Sequence, residues 1–192
     1  MPKLGMEPIR RNALVQATIF EIGAAASLDV TVGQIARRAG MSSALAHHYF
    51  GGKDQIFLAA MRHILTIYGA AVRAALRGAD SPHDRLARIV RASFGPDNFG
   101  PDVIAAWLTL YVQAHTVPEA GRLLRVYQRR LRSNLLHGLR PLCGKRAGEV
   151  ADLLGALIDG LYLRAALGGG MSGAAATADV MNVLDRVLEG RA

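Results

Sequence analysis

The sequence predicts an all-α protein, and its composition and periodicity both support this. Hydrophobic residues make up 51% of the 192 residues and aromatic residues only 6%. Alanine is frequent, whereas runs of Val, Ile, Thr and aromatic residues, which favour strands, are scarce. Apolar residues recur with helical spacing in successive segments. A chain of this length buries a real core, which excludes a disordered tail or a disulfide-stapled mini-protein.

The first helical segment is followed by a second whose start is marked by side chains. Apolar residues between Ile9 and Phe20 follow a 3.6-residue period, and this pattern fades after Gly23. Thr31 and Gln34 then have the spacing of a capping box, in which the two side chains satisfy backbone N–H groups at a helix start. Gly40 is suited to the left-handed backbone that ends a helix. The sequence therefore predicts a short second helix between Thr31 and Gly40.

A third helix begins almost at once. Ser42 or Ser43 is expected to cap it, and it runs to about Phe50. Two short helices that meet across a glycine turn are typical of the helix-turn-helix unit, whose second helix lies in the major groove of DNA. The sequence thus predicts a DNA-binding head of three helices.

The outer face of the third helix supplies the candidate contacts to bases. A 3.6-residue period points Ala46 and Phe50 inward. The residues expected to read base edges, by hydrogen bonds or by apolar contact with thymine methyl groups, are Ser43, Ala44, Leu45 and His47. The residues around them that are suited to phosphate are Thr31, His48, Tyr49 and Lys53. The base-reading set contains no arginine to clamp guanine, so duplex shape is expected to contribute.

The remaining helices form a larger body. Their predicted segments are an apolar stripe from Phe57 to Val72, a helix opened by Ser81 and Pro82, a helix from Val103 to His115, one that starts at Pro118, a segment around Leu153–Leu163, and a last helix capped by Ser172. Residues 153–163 are apolar on nearly every side, so a single chain is expected to leave part of this helix uncovered. The last two helices are therefore a plausible pairing surface for a second copy. Gly168–Gly173 matches a dinucleotide-binding pattern, but a helix precedes it, so we interpret it as a helix break.

The net charge and the cysteine content limit which partners and which cellular compartment are expected for the protein. The formal net charge is +8, which suits a polyanion such as DNA or an acidic membrane surface. Eight of the basic residues lie between Glu119 and Glu149, where a solvated helix face is expected. A lone Cys143 gives no internal disulfide, so the cytoplasm is the expected compartment. The longest uncharged run, residues 103–118, is shorter than the roughly 18 residues of a spanning helix, so no membrane span is expected.

The segments Thr31–Ser42 and His48–Lys53 resemble the DNA-binding head of the TetR family of repressors. The resemblance extends over nearly the whole chain and is to the choline-responsive repressors of glycine betaine synthesis. The further segments that carry it are Met1–Met6, Ile9–Arg11, Ala106–Leu108 and Leu157–Leu167. The resemblance implies a homodimer with about nine helices per subunit. It places the helix-turn-helix domain at residues 1–53 and the effector-binding and dimerisation domain at residues 54–192.

The same resemblance implies a mechanism and a ligand. The dimer would bind a palindromic double-stranded operator, and choline would shift its two recognition helices, with the fourth helix carrying the motion. A quaternary ammonium ion is bound by aromatic faces and a nearby carboxylate. Trp107 and Tyr111 lie four apart on one helix, and Asp159 and Tyr162 lie three apart on another, so these are the candidate effector residues. The alternative is that the aromatic residues only pack in the core. In that case Asp159 would serve close helix packing or form an ion pair with Arg164.

Other function classes receive less support. The sequence has no signature of a zinc protease, a serine hydrolase or a paired-cysteine metal site. His47 and His48 point about 100° apart on a helix, which does not suit one metal. We therefore expect neither an enzyme nor a cofactor. Two alternatives stay open: a repressor of another transport or catabolic operon with a different effector, and a basic helical protein that binds membrane surfaces or acts as a scaffold.

Overall fold

The structure, a computed structural model, describes residues 5–25, 29–168 and 170–190. These residues form nine α-helices and no strand, as the sequence predicts. The helices are α1 (Met6–Ala25), α2 (Val32–Arg38), α3 (Ser43–Phe50), α4 (Lys53–Leu76), α5 (Pro82–Ser93), α6 (Pro101–Thr116), α7 (Pro118–Cys143), α8 (Ala147–Ala166) and α9 (Gly173–Glu189).

The predicted capping box at the start of α2 is confirmed. The Thr31 hydroxyl oxygen accepts a hydrogen bond from the Gln34 N–H at 3.2 Å, and the Gln34 side-chain oxygen accepts one from the Thr31 N–H at 2.7 Å. Gly40 follows with a φ of 68°, in the left-handed region that favours glycine. The short turn and the fixed helix start together set the angle between α2 and α3.

Ser42, rather than Ser43, caps α3. Its hydroxyl oxygen accepts a hydrogen bond from the Leu45 N–H at 3.2 Å. Ala46, one turn further on, is fully buried against the rest of the head. This leaves the Ser43 hydroxyl outside the helix cap and on the exposed face of α3.

The interior face of α1 agrees with the predicted period at Leu14 and Ala17, which are buried, but not at its two ends. Ile9 is 62% exposed and Phe20 is 43% exposed, although both continue the predicted apolar period. The face that is buried consists of Leu14, Val15, Ala17, Thr18 and Ile22. Phe20 lies on the opposite side of α1 from that face, where the Arg38 guanidinium covers its ring at 3.6 Å from the centroid and also pairs with Glu21.

Helix α4 connects the head to the body and runs through the core. Its first turn contains the predicted domain boundary at residues 53 and 54, so one continuous helix spans that boundary. By length and composition α4 could cross a membrane, contrary to the expectation that no segment does. This is weak grounds for a span, because a buried core helix passes the same test, and Phe57, Met61 and Ile64 of α4 are buried in the core.

The body packs around α6, α7 and α8, with α5 against α4 and α7 and with α9 against α5 and α8. The basic residues between Glu119 and Glu149 are exposed, as predicted. The outer surface of α8 carries Leu153 and Leu163, exposed by 47% and 43%, with Leu167 just beyond the helix exposed by 72%. Ser172 caps α9 through the Ala175 N–H at 3.1 Å. The end of the body formed by α8 and α9 therefore keeps an uncovered apolar face.

Candidate functional site

The exposed face of α3 carries the side chains predicted to read bases. Ser43, Ala44 and His47 are exposed, and Leu45 is half-buried. The His47 Nδ1 lies 2.6 Å from the Gly51 carbonyl oxygen, which can only accept, so Nδ1 carries the proton. In the neutral ring the outward Nε2 is then an acceptor. It suits a base donor such as the adenine amino group.

The residues predicted to contact phosphate flank that face. Thr31 and His48 are exposed, whereas Tyr49 and Lys53 are half-buried. Lys53 is the first residue of α4, beside the end of α3. The His48 and Tyr49 ring centroids are 5.6 Å apart. All four residues therefore lie at the edges of the α2–α3 unit.

Arg11 of α1 is a residue of this region that sequence reasoning missed. Its Nη1 donates a hydrogen bond to the Tyr49 carbonyl oxygen at 2.6 Å. Its guanidinium carbon lies 5.3 Å from the Tyr49 ring centroid and 5.2 Å from that of Phe50. Arg11 thus fastens α1 to the C-terminal end of α3. The sequence offered no signal for this contact, because Arg11 and Tyr49 lie 38 positions apart.

In the body, the structure brings the predicted effector residues together. The Trp107 ring centroid lies 6.0 Å from that of Tyr111 and 6.0 Å from that of Tyr162. Tyr127 of α7, which was not predicted, is closer still to Trp107, at 4.5 Å, and Tyr68 of α4 lies 5.9 Å from Tyr127. We call these five residues the aromatic cluster. Tyr68 and Tyr127 each belong to an apolar stripe on its own helix. The spacing within one helix does not indicate that the two stripes converge.

Asp159 lies at the edge of the aromatic cluster without a basic partner. The Tyr127 hydroxyl donates a hydrogen bond to its Oδ1 at 3.4 Å. Burial raises the pKa of Asp159, and hydrogen bonds from Tyr111, Tyr127 and Gln128 oppose that rise. Among the described residues no ion pair involves Asp159, and Arg164, offered as a partner in the alternative interpretation, is exposed and does not pair with it. The site is therefore a part-buried carboxyl whose hydrogen-bond partners are Tyr111, Tyr127 and Gln128.

Tyr162 has a different environment from the other three predicted residues. Its hydroxyl lies 2.5 Å from the Ser93 carbonyl oxygen and 2.9 Å from the Asn98 carbonyl oxygen. Its ring packs on Phe94 and Phe99, with centroid distances of 5.8 Å and 5.0 Å. Burial raises the pKa of Tyr162, so its hydroxyl keeps its proton. Tyr162 therefore contributes a ring face, and its polar atom is used to hold the α5–α6 loop.

A cavity of about 310 Å³ between α7 and α8 reaches Asp159. Of the four predicted effector residues, Asp159 is the one that lines this cavity, together with Gln128 and Gly155. Arg132 and Asp152, which also line it, form an ion pair with an Nε–Oδ1 distance of 2.6 Å. The carboxyl is thus accessible to a small ligand, whereas the rings of the aromatic cluster contact one another. Over the three described ranges, no three His, Cys, Asp or Glu residues are grouped as a metal site would need.

Comparison with known proteins shows which family has this architecture. Residues 16–60 match the bacterial regulatory proteins of the tetR family, and residues 82–189 match the C-terminal domain of BetI-type transcriptional repressors. The HTH-type transcriptional regulator BetI of Brucella suis is 52% identical over 91% of this chain and 89% of its own length. The BetI regulator of Rhizobium meliloti is 49% identical over 87% of this chain and 83% of its own.

Solved structures share the fold at lower identity. A transcriptional regulator from Rhodococcus sp. Rha1 superposes with a TM-score of 0.81 at 23% identity, covering 94% of this chain and 96% of its own. A regulator from Saccharomonospora viridis, solved in complex with choline, gives a TM-score of 0.79 at 22% identity and covers 91% of this chain and 95% of its own. The relatives are named as transcriptional regulators, in agreement with the prediction that the chain is not an enzyme. The chain belongs to the BetI-type transcriptional repressors of the TetR family.

Proposed function

We propose that this repressor binds a palindromic operator as a homodimer and is released from it by choline or a close quaternary ammonium relative. The observation that carries the proposal is the part-buried Asp159 carboxyl, which has no basic partner among the described residues and accepts a hydrogen bond from the hydroxyl of Tyr127, whose ring contacts Trp107. A carboxylate next to aromatic faces is the surrounding that a quaternary ammonium ion prefers. The choline complex of the related fold from Saccharomonospora viridis supports the same ligand class.

The DNA-binding part of the proposal rests on the head. Residues 1–53 form the DNA-binding domain, in which Ser43, Ala44, Leu45 and His47 face base edges while Thr31, His48, Tyr49 and Lys53 contact phosphates. Two copies related by a twofold axis present two such faces. For both to enter the major groove of one duplex face, their spacing must be about 34–36 Å, one helical turn.

The proposed dimer forms through the body, residues 54–192, which is the effector-binding and dimerisation domain. The outer face of α8, with exposed Leu153 and Leu163, is apolar and is not covered within one chain. The same side carries Gly160, where an added Cβ would meet no atom within 4 Å. Apolar side chains beside small residues allow a helix of a second copy to approach closely, and a twofold pairing of α8 and α9 buries this surface.

The coupling between ligand and DNA follows from where the aromatic cluster lies. Its rings contact one another, so a cation that enters from the Asp159 side separates Trp107 of α6 from Tyr127 of α7. Helix α6 also packs against α1 of the head, and α4 carries Tyr68 of the cluster while its first turn adjoins α3. Movement of α6 and α4 together tilts each head and changes the spacing of the two recognition faces.

The test is a choline titration of the full-length protein on DNA. Selection from a random double-stranded library first yields the preferred site, which we expect to be a palindrome. Fluorescence anisotropy then measures operator affinity with choline, or with ethanolamine, which lacks the quaternary group. We expect choline to lower the affinity about a hundredfold, which corresponds to about 2.7 kcal/mol of coupling, and ethanolamine to act far more weakly. Equal affinity for random DNA and for anionic liposomes would instead support a membrane-surface protein.

A further inference from the structure

A second cavity of about 310 Å³ opens between α4 and α7, on the other side of Tyr127 from Asp159. Its walls are mainly apolar or aromatic: Leu65, Tyr68, Val72, Leu76, Val126 and Tyr127. Such a volume is at the lower end of the range for small-molecule sites, about 300–1,000 Å³. The cavity is therefore large enough for a short-chain ligand.

Two arginines line this cavity, Arg73 from α4 and Arg130 from α7, and both are exposed at its mouth. The Arg73 Nη1 lies back along the wall, 3.2 Å from the position that a Cβ on Gly69 would occupy. Every ion pair within the described parts of the chain uses other basic residues, and no acidic residue is among those that line the cavity. The other polar lining residues, Ser133 and Asn134, are neutral. The cavity thus combines an apolar interior with two positive charges that lack acidic partners.

This chemistry is the opposite of that at Asp159. A quaternary ammonium ion would be repelled by the two arginines, whereas a carboxylate accepts charge-assisted hydrogen bonds from both. An aliphatic tail attached to the carboxylate would lie against the apolar wall and lose its contact with water. We propose that the α4–α7 cavity is a second ligand site, which takes a small amphiphile with an aliphatic chain and one carboxylate.

The two sites meet at one side chain. Tyr127 lines the α4–α7 cavity, and its hydroxyl donates the hydrogen bond to Asp159. Tyr68, also in the wall, holds the buried Ser93 hydroxyl at 3.2 Å and contacts the Tyr127 ring. A ligand in the α4–α7 cavity therefore shifts the residue that orients the Asp159 carboxyl. Binding of the carboxylate amphiphile changes the affinity for a quaternary ammonium ion, and the reverse effect has the same magnitude.

The experiment uses isothermal titration calorimetry of the full-length protein with sodium octanoate at constant ionic strength, without choline or DNA. Octanoate is expected to bind at least about tenfold more tightly than 1-octanol, which has the same chain but no charge. Arg73→Ala and Arg130→Ala should each weaken octanoate binding about tenfold and leave octanol binding unchanged. Arg129→Ala is the matched control, since Arg129 is the exposed neighbour of Arg130 on α7 but does not line the cavity.

A blocking variant addresses the cavity itself. Gly69 is a helical residue in the wall, and Gly69→Leu fills the space while improving helix propensity. The added Cβ would lie 3.2 Å from the Arg73 Nη1, which is the end of a flexible, exposed side chain and can move aside, so the variant is expected to fold. Its melting temperature confirms folding, and its octanoate binding should be lost. Absence of octanoate binding in the wild type, equal binding of octanol, or octanoate affinities alike in the Arg73, Arg130 and Arg129 variants would each overturn the proposal. Because no step depends on choline, these outcomes are independent of the proposed induction.

Discussion

Gly23 of α1 lies directly against Asp102 of α6, so that a Cβ on Gly23 would be 2.6 Å from the Asp102 Cα. Real Cβ atoms do not approach a backbone atom so closely, so only glycine allows α1 and α6 to meet here. Helix α6 also carries Trp107 and Tyr111 of the aromatic cluster. The Gly23–Asp102 contact thus joins the head directly to the helix that supports the candidate ligand site.

Gly23→Ala should therefore loosen the joint between head and body. We expect the free energy of unfolding to fall by about 1–3 kcal/mol, as for overpacking in a core, and operator affinity to fall with it. Urea denaturation and operator anisotropy measure the two effects. Gly148→Ala is the control, because its added Cβ would make only ordinary contact, 3.5 Å from the Arg132 Nη2. Equal stability of the two variants would contradict the role given to Gly23.

Two adjacent serines should separate helix capping from base contact. Ser42→Ala removes the side chain that accepts from the Leu45 N–H, so the free energy of unfolding should fall by about 1 kcal/mol. Ser43→Ala should leave stability unchanged and relax the preference at one operator position. Thermal melts and binding to single-base variants of the operator distinguish these results.

Lys53→Ala supplies a contrast to Ser43→Ala. It should weaken binding to all sequences alike and reduce the slope of log affinity against log salt by about one unit, as expected for a phosphate contact. If Ser43→Ala and Lys53→Ala changed the base preference in the same way, the separate roles proposed for these two residues would be wrong.

Asp159 should make choline binding depend on pH. Burial raises the pKa of this carboxyl, and the cation requires the ionised form, so choline affinity should weaken as pH falls through the raised pKa. The free energy of unfolding of the ligand-free protein depends on pH in the opposite direction. The stability that the protonated Asp159 gives at low pH is lost as pH rises through the raised pKa. Asp159→Asn should abolish both dependences and weaken choline binding at least tenfold at neutral pH. Calorimetry and urea melts across pH measure these changes.

The aromatic cluster contains residues with separable roles. Trp107→Ala should weaken choline binding about tenfold or more, because it removes the ring that packs against Tyr127, the hydrogen-bond donor to Asp159. Tyr162→Phe keeps the ring but removes the hydroxyl that faces the Ser93 and Asn98 carbonyl oxygens. It should lower the free energy of unfolding by about 1 kcal/mol and leave choline affinity unchanged. A large loss of choline affinity in Tyr162→Phe would mean that this hydroxyl contacts the ligand.

Local signals in the sequence predicted most of the secondary structure. The Thr31–Gln34 capping box, Gly40 and Ser172 act through neighbours only a few residues away, so their spacing suffices to place helix ends. Periodicity failed at Phe20, because α1 buries a different apolar face and Arg38, 18 positions along the chain, covers the exposed ring. A pattern along one helix carries no information about such a partner.

The candidate ligand site was predictable only in part. Spacing within a helix paired Trp107 with Tyr111 and Asp159 with Tyr162, and the structure brings the pairs together. The convergence of Tyr68 and Tyr127 on them depends on how α4 and α7 cross, which the order of residues does not reveal. The separate role of the Tyr162 hydroxyl likewise depends on a loop between α5 and α6.

The most direct test of the proposed switch compares operator release by choline in the wild type and in Asp159→Asn, by anisotropy of labelled operator DNA at neutral pH. We predict that choline lowers the operator affinity of the wild type about a hundredfold, and that the variant binds the operator equally well without choline and stays bound when choline is added. Release of both proteins at the same choline concentration, or of neither, would contradict the proposed switch.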